Sequence, residues 1–356
     1  MPSNTKTKAS ITLLLTLSLI LLTFHVPLVN ATEDSWTTKT PMPTARAGLG
    51  VTVVDGKVYA IGGYNGSTNY LRTNEMYDPI TDTWTAKTPM STARASFGIA
   101  VYQNKIYVIG GRIGSNYTYT AVNEVYDPAT DTWETKTSLP TPRDGLDANV
   151  MNGKIYLIGG KRINLPGYSI QTFDLNEVYD PSSDTWSIKT PLPTPVYDYT
   201  SAVIDNKIYV IGGSGGTLNQ IYIPETDTWS NGTPIPYSST YGAGAATTGN
   251  MAPKRIYILG GGSIVPIDGN LIYDPESDDY FTATPMPTAR NLFDVAVVDD
   301  ILYAIGGVQG AIGDVYAINQ QYTPVGYIPE FPSWIILPLI ITTTVAIIIC
   351  KKGLSN

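Results

Sequence analysis

Six adjacent glycine pairs, beginning at Gly62, Gly110, Gly159, Gly212, Gly260 and Gly306, divide most of this chain into units 46 to 53 residues apart. That spacing suits a four-stranded antiparallel sheet with its turns and is too long for ankyrin or leucine-rich units. Each pair closes a short run of β-branched and aromatic residues, such as Lys57-Val58-Tyr59-Ala60-Ile61 and Lys105-Ile106-Tyr107-Val108-Ile109. Such runs predict strands, each ending where the chain turns with no room for a Cβ. A tyrosine precedes every pair by three positions, at Tyr59, Tyr107, Tyr156, Tyr209, Tyr257 and Tyr303.

A second tyrosine follows each pair, read as Tyr77, Tyr126, Tyr179, Tyr222, Tyr273 and Tyr316, and seven residues after the first four stands Trp84, Trp133, Trp186 or Trp229, with Tyr280 in the fifth unit. Between tyrosine and tryptophan lie turns such as Asp78-Pro79-Ile80-Thr81-Asp82, where proline fixes φ and aspartate accepts backbone N–H bonds. These acidic turns join two strands. They repeat too few oxygen ligands, at the wrong spacing, for calcium loops.

A hydrophobic strand ending in Gly-Gly, then a spaced tyrosine and tryptophan, resembles the kelch repeat over about residues 34 to 323. The resemblance implies an all-β, six-bladed kelch-type β-propeller spanning residues 32–325. Unit six has no tryptophan in the expected place, which is Thr323. The missing strand appears at the other end, since Asp34-Ser35-Trp36-Thr37-Thr38-Lys39-Thr40-Pro41-Met42 repeats Asp82-Thr83-Trp84-Thr85-Ala86-Lys87-Thr88-Pro89-Met90 almost residue for residue. The sixth blade is therefore expected to be closed by the N-terminal strand, which leaves the ring no open face.

Both termini read as targeting segments. Lys6 and Lys8 precede an uncharged apolar run from Ile11 to about Val29, with small residues at Val29-Asn30-Ala31, which predicts a signal peptide over 1–31. Residues 334–350 are uncharged and apolar and are followed by Lys351 and Lys352, the pattern of a C-terminal transmembrane helix with a cytoplasmic basic tail at 351–356. A Pro-rich spacer, 326–333, carries Pro329-Glu330-Phe331. That motif before an apolar span is similar to archaeal PEF-type sorting tails, which implies export and attachment at a cell surface.

Between the two segments lie 18 basic and 30 acidic residues, a formal charge of −12. Such a domain repels phosphate backbones, so no nucleic-acid partner is expected. The chain's one cysteine is Cys350 and its one histidine His25, both in the terminal segments. The remainder lacks thiol nucleophiles, imidazole bases and the usual zinc and copper ligands. Galactose oxidase resembles kelch propellers, but its copper needs histidines and a cysteine-linked tyrosine. No cofactor or metal site is expected.

In each blade the loop after strand two and the loop entering strand one open on one face. Measured from the second glycine of each pair to the next repeated tyrosine, these segments run 14, 15, 19, 9, 12 and 9 residues, while tyrosine-to-tryptophan spacing stays at seven. Variable length marks where packing does not constrain the chain. The longer loops offer Tyr64, Asn65 and Tyr70, then Arg112, Tyr117 and Tyr119, then Lys161, Arg162 and Tyr168; tyrosine beside arginine suits carbohydrate or peptide recognition. Thirteen residues before the first repeated tyrosine stand Arg46, Arg94, Arg143 and Arg290, replaced by Val196 in unit four and, across a four-residue insertion, Thr240 in unit five. They are expected either to ring the channel mouth and favour an anionic ligand, or to pair with Asp144, Asp147, Asp198 and Asp294. Sequons at Asn65, Asn116 and Asn231 add glycosylation sites, two of them on this face.

Three functions remain open: a surface binding or adhesion module for a glycan or protein ligand, a surface-layer scaffold, and an enzyme on acidic sugars. Propeller sialidases and kelch-type sialic-acid epimerases prompt the last, and it requires three arginines converging on one point opposite a carboxylate.

Overall fold

The computed structural model describes residues 32–328 except 67–68, 115, 238–241, 263–264 and 311–313. The expected signal peptide and transmembrane helix lie outside the described residues. Among those residues no helix is long and apolar enough to cross a membrane.

Six four-stranded antiparallel sheets form the blades. In blade 1, Gly50–Val54 is innermost and is followed outward by Lys57–Ile61, Asn74–Asp78 and Thr83–Lys87. Blade 6 takes its outermost strand, Ser35–Lys39, from the N-terminus, in register Trp36 opposite Tyr322 and Lys39 opposite Asn319. The innermost strands contact one another around the full circle, including Gly50–Val54 against Asp294–Val298. The ring is closed, as the sequence predicts.

One correction follows. The strand that receives Trp36 is Asn319–Thr323, so the sixth repeated tyrosine is Tyr322, and Tyr316 sits in the preceding loop. The sixth variable segment is then 15 residues long, not nine. The signal was an asparagine three residues before each repeated tyrosine: Asn74, Asn123, Asn176, Asn219, Asn270 and Asn319. All six are buried. Five of them donate to a threonine carbonyl near the end of a strand-four segment, for example Asn74 to Thr88 at 3.2 Å and Asn319 to Thr40 at 3.3 Å.

Neighbouring blades are joined at all six junctions by a tyrosine–aspartate–threonine latch, to which a tryptophan indole adds a bond at five, its place in blade 5 being Tyr280. Tyr126 donates to Asp131 at 2.6 Å, Asp131 accepts the Thr88 N–H of the previous blade at 2.9 Å, and the Trp133 indole donates to the Thr88 carbonyl at 2.8 Å. The same set closes the ring through Tyr322 to Asp34, Thr284 to Asp34 and Trp36 to Thr284. Tyr77, Tyr126, Tyr179, Tyr222, Tyr273 and Tyr322 each lie between their own blade's tryptophan or its substitute and the first tyrosine of a neighbour, as Tyr126 does between Trp133 at 5.1 Å and Tyr59 at 6.0 Å. The hydroxyl of Tyr126, followed by the Thr88 N–H, holds the Asp131 carboxyl below its ordinary range despite partial desolvation.

The glycine pairs serve the same junction. A Cβ on Gly62 would lie 2.8 Å from the Arg94 carbonyl of the next blade, and the Gly63 N–H donates to that carbonyl at 2.9 Å. Six apolar clusters fill the wedges between successive blades, such as Val54, Ile61, Met90, Phe97, Ile106 and Val108 between blades 1 and 2.

Candidate functional site

The four repeated arginines do not reach the channel. Arg46, Arg94, Arg143 and Arg290 are fully buried. Arg46 meets Glu75 at 2.6 Å and the Ala60 carbonyl at 2.8 Å, and Arg94 meets Glu124 at 2.8 Å and the Val108 carbonyl at 2.9 Å. Arg143 pairs with Glu177 and Arg290 with the Gln320 amide oxygen. Each guanidinium is thus bonded within its own blade, tying the loop that enters strand one to strands two and three, although only Arg143 also bonds through Nε and the Nε of Arg46, Arg94 and Arg290 has no hydrogen-bond partner among the described residues.

The expected aspartate partners are therefore replaced by Glu75, Glu124, Glu177 and Gln320, two residues before the repeated tyrosines. In blade 4 the pair becomes Val196 with Gln220, whose side chain bonds both backbone groups of Thr194. The place of Thr240 lies outside the described residues. Arg46, Arg94, Arg143 and Arg290 thus do not converge opposite one carboxylate, so the arrangement the acidic-sugar reading required is not formed by these side chains.

The channel mouth is instead lined by carboxylates. A cavity of about 210 Å³ lies on the axis, walled by the innermost strands of all six blades and the loops that enter them, among them Ser96, Asp147, Asn149, Asp198, Ser201 and Asp294. Its rim carries a belt of backbone hydrogen bonds: Gly48 N–H to Leu292 O at 2.7 Å, Ser96 to Gly48 at 2.9 Å, Gly145 to Ser96 at 3.1 Å and Asp198 to Gly145 at 2.9 Å. All five residues have φ between 51° and 65°, although Leu292, Ser96 and Asp198 are not glycine.

Asp294 accepts the Val51 N–H of the neighbouring blade at 2.6 Å and the Val295 N–H at 2.8 Å. Burial pushes its carboxyl up to about 7, with the charge of Asp147 adding to the push. Burial likewise raises Asp147 to about 6, opposed by hydrogen bonds from Ser201 and assisted by Asp198. Among the described residues neither has a cation within ion-pair distance, whereas Asp198 holds the ammonium of Lys161. The anionic-ligand expectation fails at the axis because the arginines turn into the blades while aspartates open the inner strands.

Outside the mouth, the loop residues named from sequence do come together. Arg112 lies over Tyr70 at 5.8 Å and over Tyr117 at 5.7 Å, Tyr70 packs on Tyr64 at 6.2 Å, and Tyr117 meets Tyr168 edge-on at 5.9 Å. Arg162 lies over Tyr119 at 5.8 Å, and the Tyr119 hydroxyl accepts the Ile163 N–H at 2.8 Å. The result is one aromatic and guanidinium shelf carried by blades 1 to 3. Its carriers are two short hairpins, Arg112–Ile113 with Thr118–Tyr119 and Lys161–Asn164 with Ser169–Thr172. Asn65 and Asn116 are exposed beside it, and Asn231 is exposed on an outermost strand of blade 4.

Comparison with known proteins agrees with the architecture. The KLHDC2/KLHL20/DRC7 Kelch-repeats domain family matches residues 20–160 and 99–307. The chain belongs to the kelch-repeat family. It is 35% identical over 163 residues to Kelch-like protein 40 of Xenopus tropicalis, a match covering 42% of this chain and 26% of the relative. A shorter match, 46% over 37 residues, links it to Kelch repeat and BTB domain-containing protein 12 of Homo sapiens, covering 10% and 6%. The chain thus spans about a quarter or less of the length of these relatives. The solved structure of YjhT superposes with a TM-score of 0.66 over 79% of this chain and 95% of that one, at 16% identity, which shows the common fold.

Proposed function

We propose that this kelch propeller is a binding module, held at a cell surface, that takes a protein ligand on the face formed by its 2–3 and 4–1 loops. The observation that carries this is the shelf of Tyr64, Tyr70, Arg112, Tyr117 and Tyr168. Tyrosine and arginine combine large contact area with directed hydrogen bonds, the composition of interface hot spots. Nothing in the blade-to-blade latch requires these residues.

The positions of Glu33 and residues 326–328 support the surface orientation. Gly326 N–H donates to Glu33 at 2.5 Å, and Ile328 N–H donates to the Met251 carbonyl at 2.7 Å, in a 1–2 turn of blade 5. That turn is held by Asp300, whose carboxylate accepts the N–H groups of Thr248, Asn250, Met251 and Ala252. Residues 326–328, the start of the expected Pro-rich spacer, are therefore bonded to the propeller. Glu33 and residues 326–328 lie on the face opposite the loops, so a membrane anchor C-terminal to them would point the shelf outward.

The test is a screen of purified residues 32–328 against surface proteins and a glycan panel, with Arg112→Ala/Tyr117→Ala in parallel. A ligand lost in this variant and kept by Ile80→Ser, on the opposite face, supports the reading. A ligand that ignores the shelf, or one bound only by glycan arrays, argues against it.

A further inference from the structure

The loop face has two features that the shelf alone does not explain. The first is the blade 3 hairpin, which presents Leu165, Tyr168 and Ile170 to solvent at 53%, 66% and 52% exposure. Apolar groups clustered at a loop tip, away from any core, mark a contact surface. The second is the pair Asp147 and Asp294 in the channel mouth, carboxylates surrounded by protein with backbone and hydroxyl donors but no counter-charge among the described residues.

The two features share a border. The hairpin's first residue, Lys161, exchanges backbone hydrogen bonds with Asp144 at 2.8 and 3.1 Å, and the next residue, Gly145, lines the cavity. The Lys161 ammonium sits on Asp198, another wall residue, and over the Tyr197 ring at 4.4 Å. The protein thus already satisfies one mouth carboxylate with an alkylammonium presented beside an aromatic ring.

We propose that the occupant of this face is a loop of a partner protein that lays apolar side chains on Leu165, Tyr168 and Ile170 and inserts a lysine side chain into the channel mouth between Asp147 and Asp294. This rests on the binding reading above and names the partner's chemistry. The domain's charge of −12 favours such a partner at long range. The cavity, about 210 Å³, admits one extended alkylammonium chain and is too small for a helix.

The experiment uses residues 32–328 and two blocked pentapeptides, Ac-Leu-Gly-Lys-Gly-Leu-NH2 and its norleucine analogue, followed by calorimetry at pH 8. The lysine peptide is expected to bind one to one and at least about tenfold more tightly than the norleucine peptide. Asp147→Asn/Asp294→Asn removes that advantage and leaves norleucine-peptide binding unchanged, while Tyr168→Ala/Ile170→Ala weakens both. Asp294→Asn alone, with its fold checked by circular dichroism, serves if the double variant does not fold.

At pH 7 the lysine peptide also releases protons, read as a dependence of binding enthalpy on buffer ionisation. The charges facing the pair are Asp198 beside Asp147, Lys161 on Asp198, and each aspartate on the other. Equal binding of the two peptides, no binding of either, or full lysine-peptide affinity in the double variant overturns the inference. If both peptides bind equally and Arg112→Ala/Tyr117→Ala abolishes both, the loop-face reading survives and only the cation site falls.

Discussion

The two faces of this ring differ in how often they repeat themselves. On the turn face, tyrosine, aspartate and a threonine backbone meet six times with nearly the same geometry, from Tyr77 with Asp82 at 2.7 Å to Tyr322 with Asp34 at 2.8 Å. On the loop face, blade 3 carries a projecting hairpin, blade 4 a single turn at Gly213–Gly215, and the channel aspartates occur in some blades only. The turn face is where each blade must match the next, so one solution recurs. The loop face meets solvent, and each blade is free to differ.

The largest expected effect breaks the repeated face at its seam. Deleting residues 32–39 removes the outer strand of blade 6 together with Asp34 and Trp36, and with them the latches to Tyr322 and Thr284. The loss should exceed about 4 kcal/mol, because a whole strand goes at once with the half-buried Trp36 that packs on Tyr322 at 4.9 Å. Thermal unfolding followed by circular dichroism should show no cooperative transition near the wild-type midpoint. An unchanged midpoint would mean that the seam does not hold the ring.

The next effect separates charged from neutral struts. Arg94→Met leaves the Glu124 carboxylate buried without its cation and should destabilise by about 3–5 kcal/mol, whereas Arg290→Met leaves only the neutral Gln320 and should cost about 1–3 kcal/mol. Denaturant melts of both, with Arg94→Met/Glu124→Met expected to recover much of the loss, check the order. Equal costs would show that packing of the guanidinium, not its charge, is what these blades need.

Those struts show how much was legible beforehand. Blade number, strand order and closure followed from repeats, because inter-blade packing imposes the same residues at the same spacing. The arginines repeat equally well, and that regularity was itself the sign of a structural role: Glu75, Glu124 and Glu177 repeat with them, and where Arg gives way to Val196 the glutamate becomes Gln220. Tyr316 fits the spacing from the glycines, whereas the asparagine at Asn319 marks Tyr322 as the sixth repeated tyrosine. Of the site, Arg112, Tyr117, Arg162 and Tyr168 were visible as polar aromatic insertions. Asp147 and Asp294 were seen only as neighbours of the arginines, since nothing local in a strand's first residue tells which way it faces in a ring.

The two faces should also answer acid in opposite directions. Asp131 is held below its ordinary pKa by Tyr126 and Thr88, so its contribution is complete above about pH 4 and is lost as pH falls through the lower folded value. Asp294 is raised to about 7, so the folded state binds the extra proton and stability declines as pH rises from the ordinary carboxylate range through about 7. Asp131→Asn should therefore lower the thermal midpoint at pH 7, by an amount that shrinks toward pH 2. Asp294→Asn should raise it by a few degrees at pH 8 and leave it unchanged at pH 4. A midpoint for Asp294→Asn that falls at pH 8 would show that its bonds to Val51 and Val295 outweigh its desolvation.

The smallest effect is expected at Tyr168, and it shows best beside the same residue type on the repeated face. Tyr126 is fully buried between Trp133 and Tyr59, and Tyr126→Ala should cost about 3–5 kcal/mol through lost packing and an unmatched Asp131. Tyr168 is 66% exposed and touches Tyr117 by one edge, so Tyr168→Ala should change stability by less than about 0.5 kcal/mol. Urea melts of the two variants measure this difference directly. A large loss for Tyr168→Ala would mean that the hairpin braces blade 3 against blade 2, and its exposed side chains would then be structural rather than a surface kept for a partner.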